Sequence, residues 1–406
     1  MSLRALDAEV KQYLTVTANY WAFTLTDGAL RMLVVLHFHA LGYSPLQIAL
    51  LFLFYEAFGV VTNLFGGWLG ARWGLNRTMN AGLLLQVLAL AMLLVPAALL
   101  TVPWVMAAQA MSGVAKDLNK MSAKSGLKFL GAGHAQERLY RWVALLTGSK
   151  NALKGVGFFL GGLLLSLLGF SGAVAAMAGA LLLVWLASLL LLRRDFGKAK
   201  STPKFTELLS GSRAVNILSA ARLFLFGARD VWFVVALPVF LGTQLGWSHW
   251  QVGGFLALWV IGYGIVQSLA PSVTGRQGAP VPDGRTALRW ALPLAAVPAL
   301  MAVLLVRGIA PAPVVVAGLA LFGVLFAVNS ALHSYLILGY AREDGASLDV
   351  GFYYMANALG RLLGTVLSGW VYQAHGLTAC LWVSAGLLLA AALISRALPR
   401  HNDGSA

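Results

Sequence analysis

Long apolar stretches, separated by short polar turns, dominate the sequence from residue 17 to residue 395. A helix needs about 20 mainly apolar residues to cross a bilayer, and the chain contains twelve such stretches. They predict transmembrane helices at 17–41, 46–70, 78–100, 103–124, 141–168, 173–192, 214–241, 249–271, 287–306, 313–338, 350–372 and 377–395. The pattern is typical of an all-α polytopic membrane protein.

A polar, basic segment divides the twelve predicted helices into two groups of six. This segment, 193–213, begins RRDFGKAKSTPK. We expect an N-terminal six-helix bundle over 1–192, a cytoplasmic linker over 193–213, and a C-terminal six-helix bundle with a short cytoplasmic tail over 214–406. The turns on the opposite side are short, as in GFSG at 169–172. Equal halves predict two pseudo-symmetric bundles.

Composition agrees with this interpretation and excludes several classes of function. Hydrophobic residues make up 59% of the chain and charged residues 11%, against about 25% charged in soluble domains. The single cysteine, Cys380, cannot form an intramolecular disulfide or a thiol-based metal site. There is no GxxxxGK[ST] motif for ATP hydrolysis. We predict no catalytic residues, no metal and no cofactor, and no cleavable signal peptide, because a charged leader precedes a long apolar run.

The basic residues predict the orientation in the membrane. The net charge is +15, and 21 loop lysines and arginines fall on the side of the termini, whereas only Arg307 falls on the other. Cytoplasmic loops carry such an excess of Lys and Arg. We therefore expect both termini to be cytoplasmic, and we do not expect a nucleic-acid partner. The cytoplasmic charges include Lys124 and Lys128, which we expect to be solvated.

Seven cations lie within the predicted membrane segments. Each costs about 2.5–3.5 kcal/mol at a helix centre on insertion scales, so such residues are rarely present without a role. They are Arg31, Lys116, Lys150, Lys154, Arg222, Arg229 and Arg361, and the acids at similar depth are Asp27, Glu56, Asp117 and Asp230. Seven cations against four acids leave three surplus positive charges. We predict that the seven cations bind an anionic substrate.

The buried acids have two open interpretations. Asp27, Glu56 and Asp230 are predicted to serve proton coupling or gating. Alternatively they pair internally, since Asp27 and Arg31 are four residues apart on one helix and Arg229 directly precedes Asp230. Lys150 and Lys154 have no acid on their own helix.

Four of the cations share a common depth in the membrane. Arg31, Lys154, Arg229 and Arg361 lie about 11–15 residues into their helices, which at about 1.5 Å per residue places them near the midplane. We predict that they converge on one central cavity. Arginine offers a planar fork for phosphate or arsenate oxygens, and lysine offers a mobile point charge.

The segment GGWLGARWGLNR at 66–77 resembles the signature between helices two and three of the major facilitator superfamily. Gly67, Arg72, Gly74 and Arg77 match its glycine and basic positions, but Ala71 replaces its aspartate. The resemblance implies the major facilitator fold, with twelve transmembrane helices. Glycines at 155, 157, 161 and 162 resemble a motif of exporters in this superfamily without its proline, and such glycines also serve close helix packing.

Three further segments resemble the organoarsenical efflux permease (ArsJ) family of bacterial arsenate resistance. They are 19–56, SGVAKDLNKMSAKS at 112–125 and TGSKNALKGVGFFLGG at 147–162. The resemblance implies secondary-active efflux of 1-arseno-3-phosphoglycerate from the bacterial inner membrane. It also implies a functional partnership with glyceraldehyde-3-phosphate dehydrogenase, which makes that ester when arsenate replaces phosphate. We expect a monomer whose other partners are the lipid bilayer and its small anionic substrate.

Two alternatives remain at this point. The first is a proton-linked exporter of another organic anion or a sugar phosphate, because the same cations would serve it. The second is a non-transporting membrane scaffold or receptor whose polar core only holds helices together. Surplus cations argue against the second alternative, since a scaffold gains no stability from uncompensated charge.

Overall fold

The computed structural model describes residues 8–43, 51–130, 136–192, 211–247, 249–274, 282–343 and 346–400. These residues form eleven α-helices and one short 3-10 helix at Ala97–Leu99, and they contain no strand. The α-helices are α1 Ala8–Ala40, α2 Leu53–Trp73, α3 Leu75–Met92, α4 Val102–Leu130, α5 Gln136–Leu191, α6 Arg213–Phe233, α7 Ala236–Thr243, α8 His249–Thr274, α9 Gly284–Val306, α10 Pro311–Tyr340 and α11 Ala346–Ser395. Most of the linker predicted at 193–213 lies outside the described residues.

Two helices are long enough to cross a bilayer twice. Helix α5 has 56 residues and contains Gly169 at φ 66°, and α11 has 50 residues and contains Gly376 at φ 74°. Glycine adopts this left-handed conformation without the steric cost that a Cβ would add, and each glycine divides its helix into two membrane-length parts. The break predicted at GFSG is confirmed at Gly169, and it is shorter than the predicted turn because one glycine redirects the chain there.

With these kinks, the helices agree with the predicted number of spans. Helices α6 and α7 together form one apolar segment, Arg213–Thr243. Counting that segment once and α5 and α11 twice gives twelve spans among the described residues, consistent with the prediction. The protein is nearly all helical, as the apolar pattern indicated.

Six helical segments of the described chain are long and apolar enough to cross a membrane by length and composition. They are Leu139–Leu191, Arg213–Thr243, Gln251–Thr274, Gly284–Val306, Pro311–Tyr340 and Ala346–Ser395. Helices α1 to α4 include many polar and charged residues, among them Asp27, Glu56 and Lys116. The charges predicted to matter for function are thus divided between these less apolar helices and the apolar helices α5, α6 and α11, which carry Lys154, Arg229 and Arg361.

The chain forms two compact units. Unit 1 comprises Met1–Leu139, Ser149–Leu209 and Ala341–Met355, and unit 2 comprises Tyr140–Gly148, Ser210–Tyr340 and Ala356–Ala406. Each unit thus contains a short segment from the other half of the sequence. The domain boundaries at 192 and 214 stay a prediction.

In unit 1, glycines bring α1 and α5 into close contact. A Cβ at Gly28 would lie 2.8 Å from the Lys154 carbonyl oxygen, and one at Gly157 would lie 2.7 Å from the Leu25 carbonyl oxygen. Small residues let membrane helices approach closely. The glycine-rich part of α5 therefore packs against α1 and fixes the position of Lys154.

In unit 2, glycines do the same for α6 and α11. A Cβ at Gly364 would lie 2.6 Å from the Gly227 carbonyl oxygen and 2.9 Å from the Asp230 Cβ. This approach brings Arg361 on α11 within reach of Asp230 on α6. The core beside it is aromatic, with Trp232 packed edge-on against Phe322.

Candidate functional site

The first group of charges in unit 1 consists of Arg31 on α1, Glu56 on α2 and Lys116 on α4, which we call the Glu56 cluster. Arg31 Nη2 lies 3.1 Å from Glu56 Oε1, and Lys116 Nζ lies 3.9 Å from Glu56 Oε2. The Glu56 side chain is 31% exposed. One carboxylate therefore interacts with two cations from two other helices and is still not fully buried.

Tyr55 supports the two cations of this cluster. Lys116 Nζ lies 3.7 Å, and the Arg31 guanidinium carbon 4.8 Å, from the centre of the Tyr55 ring. Such cation–π contacts contribute about 0.5–2 kcal/mol. The Tyr55 hydroxyl donates a hydrogen bond of 2.5 Å to Asp27 Oδ1. Arg31 and Asp27, predicted as a pair within α1, thus both have partners on α2.

The lysines further along α4 differ from the prediction. Lys120 Nζ lies 2.6 Å from Asp117 Oδ1. Lys124 is only 7% exposed, and its Nζ lies 4.9 Å from the centre of the Tyr354 ring, as does that of Lys120. The expectation that Lys124 is a solvated charge is therefore wrong, because the side chain is covered within unit 1. The Lys128 side chain lies outside the described residues.

Lys150 and Lys154 lie on the part of α5 that packs near α1. Lys150 Nζ donates to Asn151 Oδ1 at 3.2 Å, and both lysines are half-buried. Their role in substrate binding stays a prediction. The convergence of the four midplane cations on one cavity also stays a prediction.

The second group of charges, in unit 2, consists of Arg229 and Asp230 on α6 and Arg361 on α11, which we call the Asp230 cluster. Arg229 Nη2 lies 2.5 Å from Asp230 Oδ1, and Arg361 Nε lies 3.1 Å from Asp230 Oδ2. Asp230 is 0% exposed. Arg361, which has no acid within one turn on its own helix, thus finds its counter-charge on α6.

Arg222 lies seven residues, about two helical turns, before Arg229 on α6 and has polar partners of its own. Its Nε donates to Asn357 Oδ1 at 2.9 Å, and its Nη1 donates to the Ser330 carbonyl oxygen at 3.3 Å. The Phe226 ring lies between the two arginines of α6, 3.9 Å from the Arg222 and 5.0 Å from the Arg229 guanidinium carbon. Arg222 lies four residues before Phe226 and Arg229 lies three residues after it. The three side chains therefore share one face of α6, and the ring contacts both guanidinium groups.

Sequence reasoning missed Tyr55, Phe226 and Asn357. Aromatic residues in apolar helices are ordinary core residues, so the ring contacts have no separate sequence signal. The spacing of Arg222, Phe226 and Arg229 along one face could have indicated that contact. No feature of the sequence indicates that Asn357 on α11 is a partner of Arg222.

A groove of about 560 Å³ on the surface of unit 1 has a different character. Its lining is apolar: Phe54, Phe58, Pro103, Met106, Ala107 and Ala110. Such a groove offers no counter-charge to an anion and is suited to contact with lipid chains. Among the described residues no group of three His, Cys, Asp or Glu side chains is arranged to hold a metal ion.

The family follows from a match over most of the chain. Residues 13–346 match the family model of the Major Facilitator Superfamily. The chain therefore belongs to this superfamily and is a multi-pass membrane protein of the secondary-transporter class, not an enzyme. No curated protein sequence matches the chain significantly.

Solved structures of the same fold have diverse functions. The human organic anion transporter MFSD10 (TETRAN) is 19% identical with a TM-score of 0.73, over 96% of this chain and 98% of that one. A bacterial homologue of the iron transporter ferroportin in an outward-facing state is 15% identical with a TM-score of 0.76, over 96% and 99%. The E. coli fucose:proton symporter FucP is 13% identical with a TM-score of 0.74, over 96% and 99%. At these identities the similarity establishes the fold alone.

Proposed function

We propose that this transporter exports a small phosphorylated organoarsenical anion, 1-arseno-3-phosphoglycerate, by alternating access and thereby confers arsenate resistance. The observation that carries the proposal is the surplus of cations on the membrane helices. Seven cations face four acids there. A cavity lined by such residues favours an anion and disfavours a lipophilic cation.

The substrate has two anionic ends on a short carbon backbone, so a single cation would not neutralise it. In unit 1 the Glu56 cluster contains Arg31 and Lys116, and in unit 2 the Asp230 cluster contains Arg229 and Arg361, so each cluster by itself has two cations suited to an anionic group. An arginine fork binds phosphate or arsenate oxygens in a fixed geometry, whereas lysine provides a weaker, mobile contact. A mixture of the two suits a site that must also release its substrate.

The choice of an arsenical rests on the resemblance of 19–56, 112–125 and 147–162 to the organoarsenical efflux permeases. The resemblance supports a place in the bacterial inner membrane, cytoplasmic termini, and glyceraldehyde-3-phosphate dehydrogenase as the source of the substrate. The alternative is a proton-linked exporter of another organic anion or sugar phosphate. The pair Tyr55–Asp27 favours that alternative in one respect, since a hydrogen-bonded carboxylate is a candidate proton carrier.

Everted membrane vesicles test the substrate directly. The external buffer would contain arsenate, glyceraldehyde-3-phosphate, NAD⁺ and the dehydrogenase, so that the ester forms outside, and total arsenic in the vesicles would be measured over time. We expect arsenic uptake only with the complete mixture and only in vesicles that contain the transporter.

One omission and one alternative substrate identify the transported species. Uptake of arsenic without the dehydrogenase would mean that inorganic arsenate is the substrate, which contradicts the proposal. Uptake of 3-phosphoglycerate at a higher rate than arsenic would favour the alternative exporter. Collapse of the proton gradient in the same assay measures the contribution of protons.

A further inference from the structure

The Glu56 cluster has the geometry of a binding site that is already filled by an anion. Each carboxylate oxygen of Glu56 is directed to a different cation, Oε1 to Arg31 at 3.1 Å and Oε2 to Lys116 at 3.9 Å. A carboxylate, phosphate or arsenate group of a substrate would use the same two contacts. The position of Glu56 therefore coincides with the position where a substrate anion would be expected.

Glu56 is also able to leave that position. Its side chain is 31% exposed, and its longer contact, to Lys116, is at the limit of an ion pair. A partly solvated ion pair contributes little net free energy, so water can replace it at low cost. By contrast, the Asp230 carboxylate is 0% exposed and lies between two arginines at 2.5 and 3.1 Å, so its movement would break two close ion pairs of a fully buried acid.

The two cations do not depend on Glu56 alone for their positions. Tyr55 lies against both of them, and its hydroxyl is fixed by the hydrogen bond to Asp27. Phe52 adds a second ring, 5.0 Å from the Arg31 guanidinium carbon. When Glu56 moves away, these rings keep Arg31 and Lys116 in place for an incoming anion.

We propose that Glu56 is an internal substitute for the substrate anion. In the empty transporter its single negative charge offsets part of the charge of Arg31 and Lys116, and an anionic group of the substrate displaces it. The inference rests on the proposed export of a small anion and adds a role for one residue in the transport cycle. A transporter that releases its anion outside must return empty, and two cations without a counter-ion would oppose the occlusion that this return requires.

This role separates two modes of transport. Net efflux requires the return of the empty transporter, whereas exchange returns it with substrate bound. Replacing Glu56 by Gln removes the substitute anion but leaves the cations that bind the substrate. The variant Glu56→Gln is therefore expected to keep exchange within about twofold of the parent and to lose net efflux by about tenfold or more, as an uncompensated charge in the return step requires.

The experiment uses proteoliposomes of the purified full-length protein. They enclose the dehydrogenase, NAD⁺, arsenate and ³²P-labelled glyceraldehyde-3-phosphate, so the labelled ester forms inside. Net efflux is the label released into plain buffer, and exchange is the label released into buffer that forms unlabelled ester. The same two modes are measured with ³²P-labelled 3-phosphoglycerate as a stable phosphorylated anion.

The outcomes distinguish this inference from the proposed function. A selective loss of net efflux in Glu56→Gln supports it, and an equal loss or equal retention of both modes overturns it. If the parent transports 3-phosphoglycerate but not the ester, the proposed substrate is wrong and the two modes are compared on 3-phosphoglycerate. A parent that transports neither anion overturns both proposals.

A second variant covers the case in which Glu56→Gln does not fold. Glu56→Asp keeps the charge on a side chain one methylene shorter, so it reaches Arg31 and Lys116 less well. We expect it to reduce net efflux more than exchange, and less severely than Glu56→Gln where both fold. Equal reduction of the two modes by Glu56→Asp would contradict the role.

Discussion

The two charged clusters have the same arrangement of charges but differ in the burial of the acid. Each contains one acid between two cations from different helices, with Glu56 in unit 1 and Asp230 in unit 2. Glu56 is 31% exposed and bridges an arginine and a lysine, whereas Asp230 is 0% exposed and bridges two arginines. Similar sequence chemistry has therefore produced one ion cluster that can open and one that is fixed.

The difference indicates that burial of the acid sets the free-energy cost of separating each ion pair. A buried pair is strongly destabilised when one partner is removed, because the remaining charge has neither water nor counter-ion. A partly solvated pair is exchanged with little loss. We therefore interpret Asp230 as an organiser of two arginines and Glu56 as a movable counter-ion.

The largest expected effect comes from Asp230→Asn. It would leave the partly exposed Arg229 and Arg361 beside a neutral amide, and we expect a loss of about 1.5–3 kcal/mol in the free energy of unfolding, as for charge-assisted hydrogen bonds. The measurement is SDS-titrated unfolding of the purified protein in mixed micelles. The matched variant Glu56→Gln should lose less than half as much, and equal losses would remove the distinction between the clusters.

The next effect tests the helix contact that positions Arg361. In Gly364→Ala the new methyl group would meet the Gly227 carbonyl oxygen at 2.6 Å and the Asp230 Cβ at 2.9 Å, so α6 and α11 must move apart. Overpacking of this kind costs about 1–3 kcal/mol. Gly369→Ala on the same helix is the control, because its methyl group has no atom within 4 Å. Similar unfolding curves for the two variants would contradict the close contact.

A smaller effect is expected from Tyr55→Phe, which removes the hydroxyl of the ring that packs against Arg31 and Lys116 of the Glu56 cluster. The ring and its contacts with Arg31 and Lys116 remain, but Asp27 loses the hydrogen bond from Tyr55. Hydrogen bonds between membrane helices contribute about 1 kcal/mol, so the unfolding free energy should fall by about that amount. A loss as large as that of Asp230→Asn would mean that the Glu56 cluster is as rigid as the Asp230 cluster.

The helices themselves could be predicted from sequence, because hydropathy reports directly on the bilayer. The 20-residue rule identified the apolar helices, although α1 begins at Ala8 rather than at 17 and α3 ends at Met92 rather than at 100. The break predicted at 169–172 is confirmed at Gly169, but its conformation was not predicted: one glycine with a positive φ replaces the expected four-residue turn. Hydropathy detects the absence of polar residues and carries no information on a single positive φ.

The charged residues could be found from sequence, but their partners could not. Periodicity identifies neighbours within one helix, so Asp27 was paired with Arg31 and no partner was found for Arg361. The contacts Arg31–Glu56 and Arg361–Asp230 join different helices, and their register depends on the packing that glycines such as Gly364 allow. Lys124 was predicted to be solvated because it lies near the end of an apolar stretch. Its position along the chain carries no information on how far neighbouring side chains bury it.

The most direct test of the central claim is the rate of arsenic uptake in everted vesicles when single cations are neutralised. Arg31→Gln, Lys154→Gln and Arg361→Gln keep a polar side chain and remove one charge each, and Arg307→Gln, at an exposed position, is the control. At equal amounts in the membrane, we predict that each of the three lowers the rate by about tenfold or more, as loss of a charge-assisted contact of about 1.5–3 kcal/mol requires, and that the control equals the parent. Parent-like rates in all three variants would contradict the account, because the substrate would then not be held by these charges.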